Sequence, residues 1–63
     1  MKHIYKLIIT QPENKGYVIG EYYDFMDAFD ALTAFNRSTY ARESGQRVSM
    51  YGTDERGLYY IGG

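Results

Sequence analysis

A chain of 63 residues has room for one domain with a thin core. It has no cysteine and a single histidine, His3, which excludes a disulfide and a Cys/His zinc site and leaves self-association as the open way to reinforce so small a fold. Seven Lys and Arg against eight Asp and Glu give a net charge of −1, unlike a basic nucleic-acid binder, and the apolar run Leu7-Ile8-Ile9 is far too short to span a bilayer.

His3 to Thr10 (HIYKLIIT) reads as a strand. Tyr5, Leu7 and Ile9 alternate with Ile4 and Ile8, so both faces are apolar, as in a central strand or one covered on both sides. Met1-Lys2-His3 leads straight into it, and no signal peptide is expected. Gln11-Pro12-Glu13-Asn14-Lys15-Gly16 is a turn. Pro12 fixes φ early in it, and Asn14 or Gly16 suits positive φ. Tyr17 to Tyr23 (YVIGEYY) is the return strand of a hairpin, in which Gly20 points to a bulge or to the close approach of an aromatic ring.

Asp24 is of the N-cap type, with Asp27 at capping-box spacing. Phe25, Ala28, Phe29, Leu32 and Phe35 recur at i, i+3, i+4, i+7 and form the apolar stripe of a helix that runs toward Gly45, its natural stop. Asp24, Asp27 and Asp30 crowd its start, and Arg37 and Arg42 lie near its other end, both in keeping with the helix dipole. Asn36-Arg37-Ser38-Thr39 are weaker helix formers and mark a frayed or kinked stretch. Gln46 to Tyr51 (QRVSMY) alternates, Val48 and Met50 against Arg47, Ser49 and Tyr51. Gly52 to Gly57 is a polar turn, and Leu58 to Ile61 (LYYI) is the last strand.

The order ββαββ predicts a single α+β domain over residues 1–63, with one helix packed on one face of a four-stranded antiparallel sheet. Such a helix covers one face, and the other must meet water, a ligand or a second subunit. With Val18, Tyr22, Val48, Met50, Leu58 and Tyr60 assigned to the helix side, the uncovered face carries Tyr17, Ile19, Tyr23, Tyr51, Tyr59 and Ile61, an apolar patch of the kind that marks an interaction site.

Ile4–Thr10, the stretch Tyr22-Tyr23-Asp24-Phe25-Met26-Asp27-Ala28 entering the helix, and the closing hairpin Val48–Ile61 give the chain a layout that resembles small inhibitor proteins of phages and mobile elements, the anti-CRISPR class included. The resemblance covers most of the chain at the level of size and pattern. It implies a protein that binds and blocks a host or defence complex in the host cytoplasm. Lys15-Gly16-Tyr17-Val18 followed by a helix is similar to HicB-type antitoxin domains. Neither resemblance assigns a role to any residue.

Little in the chain suggests chemistry. His3 has no evident partner, the serines and threonines lie in no nucleophile elbow, and neither glycine-containing turn matches a phosphate loop. No catalytic residue, metal or cofactor is expected. The acidic helix start, Asp24, Asp27 and Asp30, would at most meet a basic surface. The expected function is a cytoplasmic, non-enzymatic protein–protein interaction module, a small inhibitor or adaptor, with a homodimer through the open face as one form. Its partner-binding residues would be Tyr17, Tyr23, Tyr51 and Tyr59 with the charged tip Asp54, Glu55 and Arg56. The alternative is single-stranded nucleic-acid binding by stacking on the sheet tyrosines beside a patch of Arg37, Arg42, Arg47 and Arg56, which the low positive charge disfavours.

Overall fold

The computed structural model describes residues 3–63. Met1 and Lys2, expected to lead into the first strand, lie outside the described residues. The alternating segments pair as strands β1 (Ile4–Gln11), β2 (Val18–Tyr22), β3 (Arg47–Asp54) and β4 (Gly57–Gly62). All pairings are antiparallel, and the sheet order is β2-β1-β3-β4. β1, apolar on both faces, is therefore internal.

The helical segment is two helices, α1 (Phe25–Arg37) and α2 (Thr39–Ser44). Asp24 caps α1, its carboxylate accepting from the amides of Met26 at 2.8 Å and Asp27 at 3.4 Å. Ser38 ends one helix and starts the next. Its backbone is extended (φ −71°, ψ 157°), and its hydroxyl donates to the Phe35 carbonyl at 2.6 Å and accepts from the Ala41 amide at 3.1 Å. The break thus falls in the stretch of weakest helix propensity, where a hydroxyl can satisfy both helix ends. Gly45, at φ 74°, closes α2 with its amide on the Ala41 carbonyl.

α1 presses Ala28 and Leu32 onto Leu7, Val48 and Met50, with Tyr5, Ile9, Tyr22, Ala31, Phe35 and Ile61 around them. Two irregularities decide which residues share that face. In the β1–β2 pair, Leu7 opposes Gly20 but Ile8 opposes Val18, so Ile19 is an extra, bulged residue. Val18 therefore joins Ile8 on the face away from α1, contrary to the simple alternation. Gly20 serves both suggested purposes, since a Cβ there would also lie 3.0 Å from the Tyr22 ring.

In the second hairpin, β3 continues to Asp54, beyond its predicted end at Tyr51. The turn is only Glu55-Arg56, with the Asp54 carboxylate accepting the Arg56 amide at 2.7 Å and Gly57 at φ 112°. This register sets Tyr59 opposite Gly52, and Leu58 and Tyr60 opposite Thr53 and Tyr51. Tyr59 and Ile61 hence lie on the helix side, and Leu58 and Tyr60 on the other, the reverse of the sequence-based assignment. LYYI is apolar at every position, so only the turn could fix its parity. Gly52 seats the Tyr59 ring: a Cβ there would lie 2.5 Å from it.

Asn36 explains its own presence near the end of α1. Its amide nitrogen donates to the Val48 carbonyl at 3.0 Å, and its oxygen accepts the Val48 amide at 2.9 Å. β4 pairs with β3 only from Met50 to Asp54, so the Asn36 side chain acts as the missing strand neighbour at Val48. Asn36→Ala is expected to lower the unfolding free energy by about 1–3 kcal/mol, because it strands two backbone groups at once. An unchanged urea midpoint would show that this clasp is idle.

Candidate functional site

The sheet face away from α1 is less open than a count of its tyrosines suggests. Ile8 and Ser49 are buried there. The first turn folds toward it, the Asn14 amide donating to the Tyr51 hydroxyl at 3.4 Å. Tyr51 and Tyr60 meet edge to face, with ring centroids 5.6 Å apart. Ser49 shares a hydrogen bond with Thr10 at 2.9 Å, and both Ser49 and Tyr60 donate to the Gly63 carbonyl. Lys6 and Glu21 pair at 3.9 Å. What remains apolar and exposed on this face lies at its margins, with Leu58 and Tyr60 on β4 and Val18 on β2.

The four expected partner-binding tyrosines do not form one surface. Tyr51 is half-buried in its ring pair, and Tyr59 is on the opposite face. Tyr17 is exposed in the chain before β2, its carbonyl accepting the Ile9 amide at 3.0 Å, and Tyr23 is exposed between β2 and the helix cap. Asp54, Glu55 and Arg56 do form an exposed tip, at which the Asp54 carboxylate holds the turn. Asp24 is occupied as a cap, and Asp27 and Asp30 are exposed on α1. Among the described residues, no three His, Cys, Asp or Glu side chains come together as metal ligands would.

A concave surface among the described residues lies elsewhere. α1 rests on β1, β2 and β3, and β4 lies largely outside its footprint. Three clefts follow one another along that uncovered flank. The first, of about 230 Å³, is walled by Phe25, Phe29 and Leu32 and floored by Met50 and Ile61. The second, of about 300 Å³, shares Phe29 and Leu32 and reaches Asn36, Arg37 and Arg47. The third, of about 580 Å³, shares Asn36, Arg37 and Arg47 and adds Ala41, Arg42 and Gly45. Together they make one groove, apolar at one end and basic at the other.

The apolar end is built from rings. Phe25 and Phe29 stack at 6.2 Å with planes 12° apart, and Tyr5 meets Phe25 edge-on at 5.7 Å. Phe25 and Phe29 are nonetheless 43% and 46% exposed, so they form walls and not core. Of the four arginines proposed as a patch, Arg37, Arg42 and Arg47 line the basic cleft, while Arg56 lies at the β3–β4 turn. The groove was missed from sequence because Phe25 and Phe29 were counted with the core stripe. The available signal was helical angle: Ala28 and Phe29 are neighbours, so they point about 100° apart and cannot both face the sheet.

Comparison with protein-family models, curated proteins and solved structures finds no match to this chain. No helix among the described residues is long and apolar enough to cross a membrane.

If Phe29 is a groove wall, Phe29→Gln should lower stability by only about 1 kcal/mol, whereas Leu32→Ala, which empties core volume, should lower it by about 2–5 kcal/mol. Paired urea unfolding curves test this. Equal losses would make Phe29 a core residue.

Proposed function

We propose that the protein is a non-enzymatic protein–protein interaction module, a small inhibitor or adaptor that binds a protein complex of its host through the flank between α1 and β4. The observation that carries this reading is the pair of stacked, half-exposed rings, Phe25 and Phe29, on an apolar cleft floored by Met50 and Ile61. Large apolar side chains gathered around a concavity are the usual anchor sites for a partner. The adjoining edge supports it too. β4 is a sheet edge whose sequence, GLYYIG, holds no charge and no proline, the usual guards against strand addition. Both edges carry a bulge, at Ile19 in β2 and Ile61 in β4, but β2 also has the charge of Glu21.

Stacking of single-stranded nucleic acid is less well served. The Tyr51 and Tyr60 rings stand on the face away from α1, whereas Arg37 and Arg42 belong to the helical layer. A strand stacked on those rings would leave the cations behind.

The test is affinity capture from the native host with the tagged chain and with Phe25→Glu/Phe29→Glu, after circular dichroism shows that the variant is folded. Proteins held by the parent chain should fall about tenfold or more on the variant, the loss expected for a central anchor. Equal retention by both chains, or nothing held by the parent, would sink the reading.

A further inference from the structure

We propose that the groove recognises a partner segment in which apolar side chains adjoin a cluster of carboxylates, the apolar part lying against Phe25 and Phe29 and the carboxylates at Arg37, Arg42 and Arg47. This rests on the protein-binding reading above and adds the chemistry of what is bound.

The basic cleft draws its arginines from three elements: Arg37 ends α1, Arg42 lies in α2 and Arg47 begins β3. All three are exposed. The ion pairs among the described residues are Lys6–Glu21 and Lys15–Glu13, so none of the three arginines is in one. The dipole of α1 accounts for only part of this charge. A helix C-terminus carries about half a negative charge, and α2, at six residues, adds less than a full-length helix would. Against three guanidinium groups the dipoles leave the cleft with a positive charge. Guanidinium groups bind the planar, two-oxygen edge of carboxylate or phosphate best.

What adjoins the cleft decides between those two anions. The same groove continues along α1 to the Phe25 end, about 18 Å away at 1.5 Å per helical residue, a span that five or six extended residues cover. A phosphate polymer is anionic along its whole length. At the far end it would meet a cleft lined by the apolar side chains of Phe25, Phe29, Leu32, Met50 and Ile61. A protein segment with an apolar part beside an acidic part meets no such problem. The arginines attract its carboxylates and the rings take its apolar side chains, which fixes which part lies at which end of the groove.

The probe is a random twelve-residue peptide library displayed on phage and selected on the full chain, on Arg37→Gln/Arg42→Gln/Arg47→Gln, and on Phe25→Glu/Phe29→Glu. Peptides selected on the parent chain should carry a block of aromatic or aliphatic residues next to a block of Asp and Glu. The best of them, made synthetically, should bind the arginine variant about tenfold more weakly and weaken similarly in 1 M KCl, which acts without any substitution. Apolar peptides without acidic enrichment, or acidic ones indifferent to the arginines, would overturn the inference and leave the protein-binding reading standing. No selected peptide at all would count against both. Arginine-dependent binding of a labelled oligothymidine at low salt would reassign the cleft to phosphate. A sedimenting dimer that Phe25→Glu/Phe29→Glu dissociates would give the groove to a second copy of this chain, whose own Asp24–Asp30 stretch mixes carboxylates with aromatic rings.

Discussion

One helix about 10 Å across cannot roof four strands spaced about 4.8 Å apart. This mismatch of widths governs the molecule. α1 settles over β1, β2 and β3, where Ala28, the smallest side chain of its inner face, lets it come close to Leu7, Val48 and Met50. The Asn36 clasp on Val48 ties its far end to the start of β3. The shortfall therefore falls entirely on β4, and the space beside that strand becomes a groove. A second helix layered beside α1 would have closed it, but the chain spends those residues on α2, which turns away at Ser38 as a six-residue connector.

The layout of the fold was legible because its signals are local. Strict alternation in Gln46–Tyr51, the Asp24 cap and the glycine stops mark elements that short-range chemistry determines. The two-sided apolar character of Ile4–Ile9 placed β1 inside the sheet for the same reason. Facing was legible only where one side of a strand is polar. LYYI offers no such contrast, and its parity came from a two-residue turn at Glu55-Arg56, which a six-residue polar stretch disguised. In β2 a single bulged residue, Ile19, reversed Val18 without any change in composition. The groove was the least legible feature. It depends on the offset of a whole helix across a sheet, which no window of sequence contains.

The tyrosines that drew attention in the sequence turn out to do mostly structural work. Tyr59 and Tyr22 cover Gly52 and Gly20, positions where a strand would otherwise expose bare backbone. Tyr51 and Tyr60 brace each other, and their hydroxyls reach Asn14 and the Gly63 carbonyl. In a chain with so few fully buried side chains, rings packed against glycine backbone supply burial that the core cannot. Abundance of an interface-prone residue is thus a weaker guide than where apolar surface remains once each ring has found its place. Phe25 and Phe29 differ from the more exposed sheet tyrosine Tyr60 in lining a concave surface, where a partner's side chain can be enclosed.

The charge layout along α1 gives that uncovered surface a direction. Acids at a helix start and bases at its end serve the dipole, and each contributes only a few tenths of a kcal/mol up to about 1 kcal/mol. In a helix buried between neighbours the arrangement would have no further consequence. Here the flank of α1 is one wall of an open groove, so the groove runs from an apolar end at Phe25 and Phe29 to a positive end at Arg37. Arg47 belongs to β3, outside either helix, yet it faces the same cleft, and dipole compensation gives no reason for its charge. A positive end that helix chemistry began and a strand residue reinforces draws the acidic part of a bound segment to it and leaves the apolar part to the rings.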